Sequence, residues 1–488
     1  MTETVEEKVQ IQVSTQSNGQ TLPVGFVPTP TNSYRTYRKL KKATQQPGQP
    51  VLISLPPTLP LFVGPRVLMW KQDPRVTEIG IRKAFLPDFV FNGPRDARIL
   101  IQGMAPVSRN AFGDFIQTPG TAAFDAVHTF VVVRQTLTMY QRSLGGTTLL
   151  WQWNSATNTD PLKVFPYGLP DVMNAFYNRS GRELRFGDFT EPLSPPTPGV
   201  IPPPVPRVFT CRSFDIVAHE TGHAILDGLK PQWITSSLPQ TGGLHESFGD
   251  LTAIFLTLSQ LDQVEAIIAQ TKANLHDKTF LSDLAEQFGL ALGRSNGLRN
   301  ADNNLKLSEA GTEVHAISQV FTGGIYDVLA DIFAFERKTK IKDDAVVLHE
   351  VGQYVCSLVL RAIMAAPALN ATFAHVVNQM LQIAFADGKP VQYRTFIRNR
   401  FTLREVVVSP VPLTEEFEEV LELAPGFQNT PEEVQDRRTC CGTMQLEEYV
   451  DAEDPFQAEL EELKRAVAES AMTLEKSSIG KRRAKPRK

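Results

Sequence analysis

The stretch Ser213-Phe-Asp-Ile-Val-Ala-His-Glu-Thr-Gly-His-Ala-Ile-Leu-Asp-Gly-Leu229 decides how the rest of this 488-residue chain is interpreted. Its apolar residues recur at helical spacing, and the serine at its start is a good N-cap. A glycine near its end and a proline just after it are typical helix terminators. We therefore predict a helix from about Phe214 to Leu229.

Two histidines of this helix, His219 and His223, are four residues apart and project from one face, about one turn from each other. Their flanking residues are apolar, which indicates a buried position and disfavours the alternative of two surface histidines. Buried imidazoles need partners, and a metal ion would be one. Glu220 lies beside the same face, where its carboxylate can reach a metal-bound water without being a ligand. The spacing H-E-x-x-H predicts two zinc ligands and the general base of a hydrolytic metal site. Histidine is scarce, with 8 residues, so a chance match is expected in roughly one such chain in a hundred.

A third ligand is expected downstream, because a catalytic zinc ion keeps three protein ligands and an open position. Gly243-Leu-His-Glu-Ser-Phe-Gly-Asp250 opens a second predicted helix. Glu246 and Asp250 share one face of it, so one can ligate the metal while the other accepts the free ring N–H of a ligand histidine. His245 is the rival third ligand. We prefer Glu246, since His₂Glu is a usual zinc set.

Around these helices the chain changes character from strands to helices, which indicates an α+β fold. Ala122 to Arg142 has helical spacing, whereas its surroundings between about 51 and 188 are short apolar runs with Pro and Gly between them. Residues 244–292 and 313–385 have helical stripes. The predicted organisation is a flexible arm (1–50), a β-rich lobe ending in the motif helix (51–230), a helical lobe (231–408) and a charged, partly disordered tail (409–488).

Composition narrows the class of protein. Hydrophobic content of 42%, charged content of 21% and a net charge of −4 are those of a soluble globular protein, and predict neither a membrane nor a nucleic-acid partner. The basic end, Lys481 to Lys488, is interpreted as a solvated tail rather than a nucleic-acid signal. The polar N-terminus predicts no secretory signal, hence a cytoplasmic location. The sequence does not decide the oligomeric state.

The motif helix, followed by a Glu-x-x-x-Asp helix, resembles the thermolysin-type gluzincins. The resemblance runs from about 97 to 408, with several ordered matches. It implies a zincin-like fold with the motif helix at the cleft, a bound Zn²⁺ ion, and endopeptidase activity on a peptide or protein substrate.

Four further residues receive roles from the resemblance alone. Asn174 and Ala175 would lie on the edge strand along which the family binds its peptide. Arg299 would hold a substrate carbonyl, and His315, in Val-His-Ala-Ile-Ser, would stabilise the oxyanion. Three of the four have a plainer alternative: a strand-end cap for Asn174, a surface ion pair for Arg299 and a structural histidine for His315.

The sequence departs from the family at several positions. Asp215 matches one calcium carboxylate, but its expected acidic partners are missing, so calcium binding is left open. The tyrosine that the family usually has between the positions of His223 and Glu246 is not evident, and Trp233 or Ile234 falls near its place. At the position five residues before His315, where the family has a carboxylate, this chain has Ala310.

The sequence offers alternatives both for the missing carboxylate and for the function. Glu309 or Glu313 is a possible substitute for the missing carboxylate. The alternatives to an endopeptidase are a gluzincin aminopeptidase, whose Gly-x-Met-Glu-Asn segment is lacking, and a zinc-holding scaffold without activity.

Overall fold

The computed structural model describes residues 64–86, 90–190, 207–286, 289, 297–407 and 444–445. Within these ranges it is a mixed structure of helices and strands, compatible with the predicted α+β class. The strands are β1 (Arg66–Trp70), β2 (Ile81–Phe85), β3 (Ile99–Ile101), β4 (Leu162–Leu169), β5 (Ala175–Asn178), β6 (Glu183–Thr190), β7 (Arg207–Phe209), β8 (Asp283–Leu284), β9 (Arg299–Asn300) and β10 (Met444–Gln445). The helices are α1 (Ala122–Ser143), α2 (Phe214–Leu229), α3 (Pro239–Leu258), α4 (Leu261–Thr271), α5 (Leu307–Ala310), α6 (Val314–Glu336), α7 (Asp344–Ala365), α8 (Phe373–Ala386) and α9 (Val391–Leu403).

The largest sheet has the strand order β10-β5-β6-β4-β3, and β7 pairs with β6. Strands β3, β4 and β6 are parallel, whereas β5 runs antiparallel to β6. Among the described residues, the short β10 alone lies on the other side of β5, where it pairs in parallel with two residues of β5. Strand β5 therefore stands close to the edge of the sheet, next to α2, which it contacts.

Helices α2 and α3 pack against each other in the interior, and every residue of α3 is buried. Two glycines allow the close approach. A methyl group on Gly249 would lie 2.6 Å from ring atoms of His219, and one on Gly222 would lie 2.6 Å from the hydroxyl of Thr252. Larger side chains at these two positions would force the helices apart. One continuous apolar core joins the described parts of the β-rich and helical lobes.

The two helices that the sequence predicted most clearly are confirmed. Helix α1 starts at the predicted Ala122 and extends one residue beyond Arg142. Helix α2 has the predicted bounds, and the Ser213 hydroxyl accepts the N–H of Ile216 at its start. N-capping by a serine hydroxyl satisfies one of the free N–H groups of the first turn.

The prediction of helix throughout residues 244–292 is wrong for residues 272–285. Helix α4 ends at Thr271, and a strand, β8, follows instead of more helix. Lys272 and Ala273 have positive φ values of 51° and 66°. A left-handed conformation ends a helix, although the apolar pattern of the sequence continues past this point.

Several sequence predictions lie outside the described residues. These are the arm at 1–50, the tail at 409–488 except for residues 444–445, and the basic end of that tail. Within the described part, α7 has the length and hydropathy of a membrane span, although composition predicted no membrane partner, and 61% of its most apolar stretch is buried inside the molecule. The core helix of a soluble protein passes the same test.

Candidate metal centre and cleft

The two histidines of α2 point their Nε2 atoms at the same space. These atoms are 2.9 Å apart, and the rings are nearly perpendicular, at 87°. Both side chains are buried. Burial lowers the pKa of His223 well below its ordinary value, so this ring is neutral, the form that ligates metal ions.

Helix α3 contributes a carboxylate to the same space. Glu246 places Oε1 3.5 Å from Nε2 of His223 and Oε2 3.6 Å from Nε2 of His219. Tetrahedral ligands held 2.0–2.1 Å from a zinc ion lie roughly 3.3 Å from one another. His219, His223 and Glu246, the metal-ligand group, therefore have a spacing that could hold a metal ion.

The surroundings of Glu246 favour its ionised form in spite of its burial. It is fully buried, and burial by itself would raise the pKa, but the charge of the nearby His315 lowers the pKa of Glu246 well below its ordinary value. A buried carboxylate among imidazoles is expensive unless it is paired or coordinates a metal. The charge of this residue therefore suits a divalent cation.

A second carboxylate orients one of the histidines. Asp250, one turn after Glu246 on α3, has Oδ1 3.0 Å from Nδ1 of His219. It also accepts two N–H groups of Arg299, at 2.8 and 3.0 Å. With its Nδ1–H donated to Asp250, His219 keeps the Nε2 lone pair for a metal. The predicted supporting contact of Asp250 is thus present, and Arg299 lies beside it.

His245, the rival third ligand, lies behind His223 instead. Its Nδ1 is 2.8 Å from Nδ1 of His223, and the two rings are stacked. It is not a member of the metal-ligand group. His245 thereby holds the ring of His223 through Nδ1, the nitrogen that faces away from the metal-ligand group. The sequence signal for this contact is the place of His245 directly before Glu246.

We expect replacement of His245 by phenylalanine to weaken zinc binding by about 10- to 100-fold, the usual effect of removing a contact behind a metal ligand. His245→Asn is the matched control, because its amide oxygen occupies the place of Nδ1 along the side chain. Competition against a chelating dye measures both affinities. Equal affinity of the phenylalanine variant and the wild type would contradict this role.

Glu220 lies on α2 next to the metal-ligand group. Its carboxylate accepts the backbone N–H of Tyr177 in β5, and within the described residues its Oε2 has no hydrogen-bond partner. Burial, and after it the charge of Glu246, raises the pKa of Glu220 well above its ordinary value. A carboxylate with a raised pKa is suited to take up and release a proton near neutral pH.

Most of the other predicted site residues line a cleft next to α2. Asn174, Ala175 and Arg299 line it together with His219, Glu220 and Asp250. The apolar part of its wall comes from Ile216, Ala253, Leu284, Ala285 and Leu298. Residues that are distant in sequence thus lie around one concave surface.

Asn174 also has a local contact. It lies directly before β5, and its Oδ1 accepts the N–H of Ala175 at 2.8 Å. This is the strand-end contact weighed as an alternative from the sequence. The residue caps the strand and lines the cleft at the same time.

His315 approaches the metal-ligand group from the first turn of α6. Its Nε2 is 3.3 Å from Oε2 of Glu246, and its Nδ1 is 2.5 Å from Oε1 of Glu313. Glu313 is the N-cap of α6 and also accepts backbone N–H groups of the first turn. Of the two candidates for the missing carboxylate, Glu313 contacts the ring, whereas Glu309 is exposed and caps the short α5.

Neither residue considered in place of the family's tyrosine lies in the cleft. Trp233 and Ile234 are buried, and the indole N–H of Trp233 donates to the carbonyl of Pro367. Asp215 is buried and accepts the N–H of Ala285. Burial and then the charge of Asp73 raise the pKa of Asp215 well above its ordinary value. Calcium binding at Asp215 stays open.

One other group in the described residues could hold a metal by spacing, namely His276, Asp302 and Asp327. Arg404 donates to Asp327 at 2.9 Å, and Arg400 lies 3.7 Å from it. These guanidinium groups already balance the carboxylate charge. The group is therefore a poorer cation site than the buried one on α2 and α3.

No protein-family model matches the chain, and no curated protein matches it.

Proposed function

We propose that this chain is a zinc-dependent metalloendopeptidase with a zincin-like, thermolysin-like arrangement. His219, His223 and Glu246 would hold the zinc ion, and Glu220 would act as general base. The observation that carries the proposal is the buried carboxylate of Glu220, directed into the cleft beside three ligand atoms with metal spacing. The donor set is the His₂Glu set of catalytic zinc sites.

When bound, zinc supplies Lewis acidity and makes a water molecule acidic near neutral pH. Glu220 would take the proton of the attacking water and pass it to the leaving amine, a use that its raised pKa supports. His315, held by Glu313 at Nδ1, would donate from Nε2 to the oxyanion. Arg299, fixed by Asp250, would orient the substrate backbone.

The substrate would lie along β5. This strand runs beside the cleft, and its Ala175 is part of the cleft wall. An extended peptide can add to such a strand through main-chain hydrogen bonds, which bind many sequences alike. Binding along a strand favours internal cleavage over aminopeptidase action, because main-chain hydrogen bonds along a strand do not require a chain terminus.

The proposal is tested by a metal assay of the purified protein coupled to cleavage of an unstructured peptide library. We expect about one zinc ion per chain at the high-affinity site and cleavage at internal bonds, which a chelator abolishes and added zinc restores. Zinc without cleavage would support the alternative of a zinc-binding scaffold. Cleavage that survives complete removal of metal would overturn the proposal.

The contact between Glu313 and His315 gives a second test. We expect Glu313→Gln to lower kcat by about 10-fold, less than the 10²- to 10³-fold loss typical when an oxyanion donor is removed altogether. KM should change little, because the donor acts on charge that develops during the reaction. The control is Glu309→Gln, the same change on an exposed carboxylate. If both variants lose kcat equally, Glu313 has no special part.

A further inference from the structure

A strand of the same chain, β10, pairs with the side of β5 along which a peptide substrate is proposed to bind. Strand β10 runs parallel to β5, with Met444 opposite Tyr177 and Gln445 opposite Asn178. The other side of β5 is paired with β6. Strand β10 therefore lies on the side of β5 to which a further strand, from this chain or from a peptide, can be added.

The residues of β5 that β10 contacts are tied to the candidate centre. The backbone N–H of Tyr177 is donated to Glu220, and its hydroxyl donates to Asp227 of α2 at 2.6 Å. Strand β5 is thereby anchored to the helix that carries both histidines. A chain segment that covers Tyr177 lies next to the residue proposed as general base.

A two-residue pairing is weak as a free interaction, but here it is tethered. Residues 408–443 connect the end of the described helical region to β10, and 36 residues of chain can span on the order of 100 Å when extended. A tether of this kind gives an effective concentration in about the millimolar range. Even a weak internal strand can therefore compete with a peptide from solution.

We propose that the Met444–Gln445 segment is an internal competitor for the edge of β5 and that it restrains peptide binding by the cleft. This inference rests on the proposed function for its catalytic consequence, whereas the strand exchange itself does not depend on catalysis. An internal competitor reduces the fraction of molecules that can bind substrate and so raises KM while leaving kcat unchanged.

The test compares two double variants of the full chain. Met444→Pro with Gln445→Pro removes both N–H groups, so whichever of them faces β5 is lost. Met444→Ala with Gln445→Ala keeps both N–H groups and is the matched control. We expect KM of the proline variant to fall by about 5-fold at unchanged kcat, whereas the alanine variant keeps the wild-type KM. Equal KM values in active proline and alanine variants would overturn the inference and leave the proposed function standing.

A binding measurement separates the two proposals. A labelled synthetic peptide of residues 442–451 is titrated, by fluorescence anisotropy, into both variants carrying Glu220→Gln. We expect it to bind the proline variant about 5-fold more tightly than the alanine variant, because its place on β5 has been vacated. This difference without cleavage in any Glu220-containing variant would retain the internal strand and reject the endopeptidase. Equal binding to both variants would reject the internal strand.

Discussion

Replacing Glu220 with glutamine is expected to lower kcat by on the order of 10³-fold while the protein keeps its zinc. Glutamine has the same shape but cannot accept the proton of the attacking water. The carboxylate is not a member of the metal-ligand group, so metal affinity should stay close to that of the wild type. Single-turnover cleavage of a fluorogenic peptide, together with metal analysis of the same sample, measures both quantities.

The matched control for this variant is Glu265→Gln, the same change at an exposed position on α4. It should retain the wild-type rate. A Glu220→Gln protein that cleaves at the wild-type rate would remove the general base from the mechanism. Loss of zinc in this variant would instead indicate that Glu220 belongs to the ligand set.

Replacing Glu246 with glutamine should have an equally large effect, but on the metal. The change removes the only formal charge from the metal-ligand group, whose other members are the imidazoles of His219 and His223. Loss of a direct ligand should weaken binding by more than the 10- to 100-fold seen for supporting contacts, so we expect a decrease of about 100-fold or more. Activity should be lost in parallel and return at high zinc concentration.

A variant of the second candidate group provides the control. His276 belongs to that group and is 42% exposed. His276→Ala should leave zinc affinity and cleavage unchanged. If it releases the zinc ion while Glu246→Gln retains it, the metal lies in the second group and the proposed centre is wrong.

The parts of the fold that the sequence predicted well are those controlled by local signals. Helix α2 has a serine N-cap and a dense apolar stripe, and its bounds were predicted to the residue. The end of α4 was not predicted, because only the backbone conformation of Lys272 marks it. Lysine has no strong preference for a left-handed conformation, so neighbouring tertiary structure decides this turn.

The same distinction between local signals and tertiary structure applies to the candidate site. The spacing of His219 and His223, and that of Glu246 and Asp250, follows from the helical repeat and could be read from the sequence. Whether His245 meets the metal or the back of His223 depends on how α3 crosses α2, and no local pattern contains that angle. The choice between Glu309 and Glu313 likewise depended on the N-cap conformation of α6.

The pairing of β10 with β5 could not have been predicted at all from the sequence. Two residues give no periodicity, and their partners Tyr177 and Asn178 lie far away along the chain. Backbone pairing between distant short segments depends on topology rather than on side-chain type, so propensity arguments do not detect it.

The glycine contact between α2 and α3 has a thermodynamic consequence. With Gly249 against the ring of His219, the ligands are held by the packing of two buried helices before any ion arrives. An ion that binds this folded arrangement and not the unfolded chain adds about 1.4 kcal/mol to the free energy of unfolding for each tenfold excess over its dissociation constant. The melting temperature of the protein thus becomes a gauge of occupancy. A series of divalent ions can be ranked by it before any substrate is known.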